Sequence, residues 1–212
     1  MDIASGGVIT VANATIASSG TVTVDNGSFT IDGAAGTYNF NNIDVNTNGS
    51  WLVTAAYSPT ISGSISSDGT FTGCNGAGCV YTLTSATGTI SGTGAMTASA
   101  VGNTVTYNRT VSNQLIQPTT DAGNNYYNLI INKADGQDVT TSADITVDNQ
   151  LTLTLGDIIM GGQNIIMSSG STITGGNASS YIQDNAGGVL RYELSAVGTF
   201  FVPIGGERLT AS

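Results

Sequence analysis

The chain has 212 residues, 40% of them hydrophobic and 8% charged, with 29 glycines and no histidine. Fourteen carboxylates stand against four cations, Arg109, Lys133, Arg191 and Arg208, for a net charge of −10. A run of phosphates meets no basic stripe here, so nucleic acid and anionic membrane surfaces are not expected partners. The aliphatic content argues for a packed core rather than disorder. No stretch approaches the roughly 18 consecutive apolar residues of a membrane span, so membrane insertion is not expected.

Met1-Asp2-Ile3 lacks the basic start and apolar run of a signal peptide, and strand-like sequence begins almost at once. We expect a segment of a longer protein. From there a glycine followed two residues later by an apolar residue keeps returning, at Gly6/Val8, Gly27/Phe29, Gly49/Trp51, Gly69/Phe71 and Gly94/Met96, in steps of 21, 22, 20 and 25 residues. A beat of that length with no helical pattern inside it marks a coil that climbs one β-layer per repeat.

Within each repeat apolar and small polar residues alternate, the two-residue period of a strand with one buried face. In Val22-Thr23-Val24-Asp25-Asn26-Gly27-Ser28-Phe29-Thr30-Ile31, the expected inward residues are Val22, Val24, Phe29 and Ile31. Asp-Asn-Gly supplies the turn, with glycine expected to take the positive φ. Trp51 shares the repeat position of Phe29 and Phe71 and is expected in the core. Asp44, Asn46 and Asn48, before Gly49, match the opening of a calcium loop, but the twelfth position is Ala55 and no bidentate carboxylate closes it. Water-facing side chains at a rung corner explain them better, so calcium is a weak candidate cofactor and no metal is favoured.

The longest step contains Cys74-Asn75-Gly76-Ala77-Gly78-Cys79, an apparent insertion into a rung. The two cysteines suit a short disulfide in an oxidising compartment. Free thiols remain open, and zinc would need two further ligands without any histidine to supply them. Farther on, residues 114–127 lose the beat around Pro118 and read as a connecting loop or junction. The expected organisation is a first solenoid segment over 1–113, that junction, and a second segment over 128–212. In the second segment Leu129, Leu151 and Ile173 resume the period at intervals of 22.

Thr-x-Thr pairs at Thr21/Thr23, Thr70/Thr72, Thr82/Thr84, Thr104/Thr106, Thr152/Thr154 and Thr172/Thr174 raise the possibility of an ice-binding face. Their differing phases argue against one shared face. Tyr57 and Tyr126 are the aromatics least constrained by the repeat and are the candidate surface contacts, for example to glycans. Without histidine the commonest general base near neutral pH is missing. Asp184, Arg191 and Glu193 lie close in sequence but read as ordinary surface charge pairing, so no catalytic residue and no enzyme is expected.

Val105-Thr106-Tyr107-Asn108, Tyr126-Tyr127-Asn128-Leu129-Ile130-Ile131, Leu151-Thr152-Leu153-Thr154-Leu155-Gly156 and Gly198-Thr199-Phe200-Phe201-Val202-Pro203-Ile204-Gly205 resemble strand sequence of large secreted, adhesin-like repeat proteins of Bacteroidota. The resemblance implies a secreted or cell-surface location and a role as an adhesive scaffold; it carries no catalytic residues. The expected fold is all-β, a right-handed parallel β-helix with rungs of about 20–22 residues, with β-sandwich modules as the alternative. The expected function is a stiff repeat segment of an extracellular adhesin or surface fibre. Its expected partners are neighbouring segments or like chains through rung edges, and surface glycans. The alternatives are a polysaccharide-binding or polysaccharide-cleaving β-helix and an ice-binding protein.

Overall fold

A strand whose partner runs parallel cannot be reached by a tight hairpin, so the chain must travel around before it returns to pair with itself. Here it does so on every repeat, and the result is an all-β parallel solenoid. The structure is a computed structural model describing residues 1–4, 6–11, 15–32, 36–54, 59–72, 80–83, 90–91, 95–99, 101–108, 113–116, 125–133, 136–194 and 202–205; at 11, 15, 80–83, 90–91 and 95–97 it describes backbone alone. Every pairing between strands is parallel, and no helix occurs among the described residues.

Each coil has three sides. On the first, the register aligns Phe40 with Ile61, Ile61 with Leu83, Leu83 with Tyr107, Tyr107 with Ile131 and Ile131 with Leu153. The second side begins with Ile3, Val24, Val45 and Ser67, and in later coils runs through Gln114, Val139, Ile158 and Ile182. The third aligns Ile9, Phe29, Trp51, Phe71 and Met96 in register; beside that column Ala98 bridges to Tyr126, which leads on to Val147, Met167 and Tyr192. One path of ten successively paired strands runs from Asp2–Ile3 to Leu190–Tyr192.

The corner that stays extended changes along the molecule. In Thr15–Val24 and Thr37–Val45 the first and second sides form one long strand, with a register shift between Ser18 and Thr21. In Asn125–Asn132 and Ile145–Leu155 the third and first sides are joined instead, with a shift between Tyr126 and Asn128. The ladder crosses the stretch where the sequence beat fails, since Thr104–Tyr107 pairs with Asn128–Ile131. Residues 117–124 lie outside the described set.

Alternation places two inward residues on a typical side. Val22, Val24, Phe29, Ile31 and Trp51 are all buried, as expected. Phe29 stacks on Trp51 with ring centroids 4.4 Å apart, Trp51 stacks on Phe71 at 5.9 Å, and Phe40 meets Trp51 edge-on at 5.0 Å. Such pairs add about 0.5–1.5 kcal/mol each to the area they bury.

Two expectations about the beat are corrected. Ile9, not Val8, stacks on Phe29, and Val8 is 70% exposed; the equivalent corner glycine is Gly7 rather than Gly6, because Val8 pairs with Ser28. Nor does the recurring glycine supply the positive φ. That conformation belongs to Asn26 (φ 52°) and Asn48 (φ 66°), one residue earlier. Gly27, Gly49 and Gly69 are needed because a Cβ would run into the backbone carbonyls of Gly7, Val24 and Gly49 respectively, each in the coil before. Stacking distance, not dihedral preference, selects glycine there.

Gly49→Ala should therefore destabilise the protein by about 1–3 kcal/mol in thermal or denaturant unfolding. Gly20→Ala, at a position where a Cβ meets nothing within 4 Å, should be neutral or slightly stabilising. Equal effects at the two positions would remove the close-approach explanation.

Candidate functional site

Backbone N–H groups at a solenoid corner leave the strand ladder and need another acceptor. The chain answers with Asn and Asp stacked one coil apart. Between the first and second sides, Asn113 Oδ1 accepts from Asp138 N at 2.9 Å, Asp138 Oδ1 from Asp157 N at 3.1 Å, and Asp157 Oδ1 from Tyr181 N at 3.0 Å. Between the second and third sides, Asp144 accepts from Asn164 N at 2.7 Å and from Asn164 Nδ2 at 2.8 Å, while Asn164 Oδ1 accepts from Val189 N at 3.1 Å. Near the third corner, Asp148 accepts from Ser168 Oγ and from Asn125 Nδ2, and Asn149 Nδ2 donates to Asn128 Oδ1. These carboxylates are thus structural acceptors.

Burial raises the Asp157 carboxyl above its usual range, with a smaller push from the charge of Asp138; the Tyr181 N–H opposes both. The charge of Asp157 in turn raises Tyr181. Asp184 is held low chiefly by the Ala186 N–H, and the N–H groups of Gly187 and Gly188 also point at its carboxylate. Asp184 therefore shapes its own loop. Arg191 pairs with Glu193 at 2.7 Å on the surface, the ordinary charge pairing anticipated for these residues.

The sequence candidates fall in different places. Tyr126 is fully buried on the third side, where it stacks between Ala98 and Val147, and its hydroxyl lies 3.3 Å from that of Tyr107. It therefore presents no ring to a surface ligand. The alternation Asn125, Tyr126, Tyr127 puts it inward, a phase that the irregular stretch before it concealed. Asp44 lies on the second side between buried Ile43 and Val45, and Asn46 and Asn48 form the next corner, where Asn46 O accepts from Gly49 N at 2.7 Å. Among the described residues no group of three or more His, Cys, Asp or Glu gathers as a metal site. Tyr57, Cys74 and Cys79 lie outside the described residues.

The backbone register of the first side aligns several threonines, although Thr106 among them is 8% exposed and the Thr21/Thr23 and Thr70/Thr72 pairs lie on other sides, as their differing phases imply. Thr60, Thr82, Thr106, Ile130, Thr152 and Thr174 occupy one register column across successive coils. Thr152 and Thr174 touch through their hydroxyls at 3.1 Å. Uneven coil lengths hide the column from any fixed period. At the start of the same side an open groove of about 470 Å³ is lined by Ala17, Ser18, Asn39, Thr60 and Ser62. A smaller cleft of about 280 Å³ lies over the corner of Asp144 and Asn164, with Arg191 at its rim. Asp144 there already accepts two bonds from Asn164.

No family model, curated protein or solved structure matches this chain. Fold and surface together define a parallel β-solenoid with three sides, corner ladders of Asn and Asp, and a threonine column along one side.

Because the folded carboxyl of Asp157 holds its proton more tightly than the unfolded one, its contribution to stability is greatest at low pH and falls as pH rises through the folded value. Asp157→Asn keeps the acceptor for Tyr181 N–H and removes the charge. It should raise the melting temperature at pH 7, with the gain shrinking toward zero below about pH 4. A gain independent of pH would show that charge is not the cause.

Proposed function

We propose that this chain is a stiff, non-catalytic scaffold segment of an extracellular adhesin or surface fibre. The observation that carries the reading is the unbroken path of ten paired strands, which makes a solenoid rather than a set of separate modules. Solenoid coils touch only their neighbours, so length is added without changing the packing of any one coil. Polar, low-charge outer sides suit spacing and display. Like chains at rung edges and surface glycans are the proposed partners, and Cys74 with Cys79 is proposed to close a disulfide staple once outside the cell.

Labelling of intact cells with an antibody to this segment, with lysed cells as the comparison, tests the location. Signal on intact cells, abolished by brief external proteolysis, is expected. Signal only after lysis would sink the proposal.

The threonine column favours a second reading as an ice-binding surface. Purified protein should then show thermal hysteresis, and Thr152→Tyr, which interrupts the column, should reduce it several-fold with little change in melting temperature. Absence of hysteresis in the unsubstituted protein would end this reading.

A further inference from the structure

The tripeptide Asn-Gly-Ser occurs twice at one corner of the solenoid, as Asn26-Gly27-Ser28 and, one coil later, as Asn48-Gly49-Ser50, with Ser28 and Ser50 in register. Both asparagines are exposed and left-handed, at φ 52° and 66°. An asparagine before glycine is open to attack by its own chain, because a residue without Cβ lets its backbone nitrogen approach the carboxamide carbon. The two corners differ at that nitrogen. Gly49 is buried, and its N–H donates to Asn46 O at 2.7 Å. Gly27 is half-buried, and the carbonyl three residues before it, Val24 O, already receives the Asn46 N–H of the next coil at 2.9 Å. Among the described residues no hydrogen bond takes up Gly27 N. Identical tripeptides thus present one committed nitrogen and one uncommitted nitrogen.

We propose that Asn26-Gly27 is a self-modification site, converting in water to aspartyl and isoaspartyl forms while Asn48-Gly49 persists. Gly27 N gives its proton to hydroxide and attacks Asn26 Cγ. The N–Cγ bond forms, the Cγ–Nδ2 bond breaks, and Nδ2 takes a proton from solvent and leaves as ammonia. Water then opens the five-membered imide. Breaking the new N–Cγ bond leaves an ordinary aspartate; breaking the original peptide C–N bond leaves the main chain running through Cβ and Cγ. The balance is one water consumed and one ammonia released. The second route lengthens the chain at a corner with no slack, since a Cβ on Gly27 would stand 2.5 Å from Gly7 O. It also turns the Asn26 carbonyl, which accepts from Gly6 N at 2.7 Å, into a free carboxylate. The modification therefore loosens the first coil, whose Gly7 O accepts from Ser28 N at 2.8 Å, and leaves the later coils intact.

Peptide mapping by mass spectrometry of the folded protein, aged in mildly alkaline buffer, tests this directly. The expected result is a gain of about 1 Da at Asn26, accumulating about tenfold faster than at Asn48, the factor for opening one buried backbone hydrogen bond. In denaturant the two sites should react at matching rates, since their tripeptides are the same. Asn26→Gly keeps a residue suited to the left-handed conformation and removes the carboxamide. It should abolish the gain at that corner and preserve the protection of Gly6 N–H from hydrogen exchange during ageing; in the unsubstituted protein that protection should fall as isoaspartate accumulates. No gain at Asn26 in the folded protein, equal rates at the two folded sites, or a difference that persists in denaturant overturns the proposal.

Discussion

Each coil is held by hydrogen bonds to the coil before it, and the resulting spacing of about 4.8 Å governs every other feature of the molecule. Residues at equivalent positions are forced into contact, which is why Phe29, Trp51 and Phe71 form one stacked column. The same spacing leaves no room at the corner for a Cβ on Gly27, Gly49 or Gly69. It also makes the interior shallow. A typical side contributes only two inward side chains, so large residues such as Trp51 reach across to meet Phe40 on another side.

Where the ladder bends, its donors need other acceptors, and this requirement shapes the surface chemistry. Asp138, Asp144, Asp148 and Asp157 each accept bonds from the following coil. Carboxylates used in this way are fixed in orientation. The perturbation at Asp157 follows from that structural role, through burial and the proximity of Asp138. A shifted carboxyl is often a sign of catalysis, yet here stacking accounts for it.

Much of this was legible in the chain. The glycine beat and the alternation in 22–31 led to a solenoid and to the buried state of Val22, Val24, Phe29 and Ile31, because period-two patterning maps directly onto the inward face of a strand. Leu129, Leu151 and Ile173 do stack one above another. The register that aligns these threonines was not legible, because its members are separated by unequal coil lengths. Tyr126 was misplaced for a related reason: no periodic sequence before it sets its phase. Lys133 drew attention only as one of four cations, since nothing local distinguishes a buried lysine from an exposed one.

By itself, then, the sequence determined the class of fold, the repeat and most of the core, all of which follow from local alternation and turn residues. Only the tertiary structure decided which side chains share a column, why glycine is required at the corners, and which polar groups meet between coils. Those features depend on contacts between residues about 20 positions apart. Insertions of a few residues change that separation freely at the corners, while hydrogen bonding restores the register on the sides.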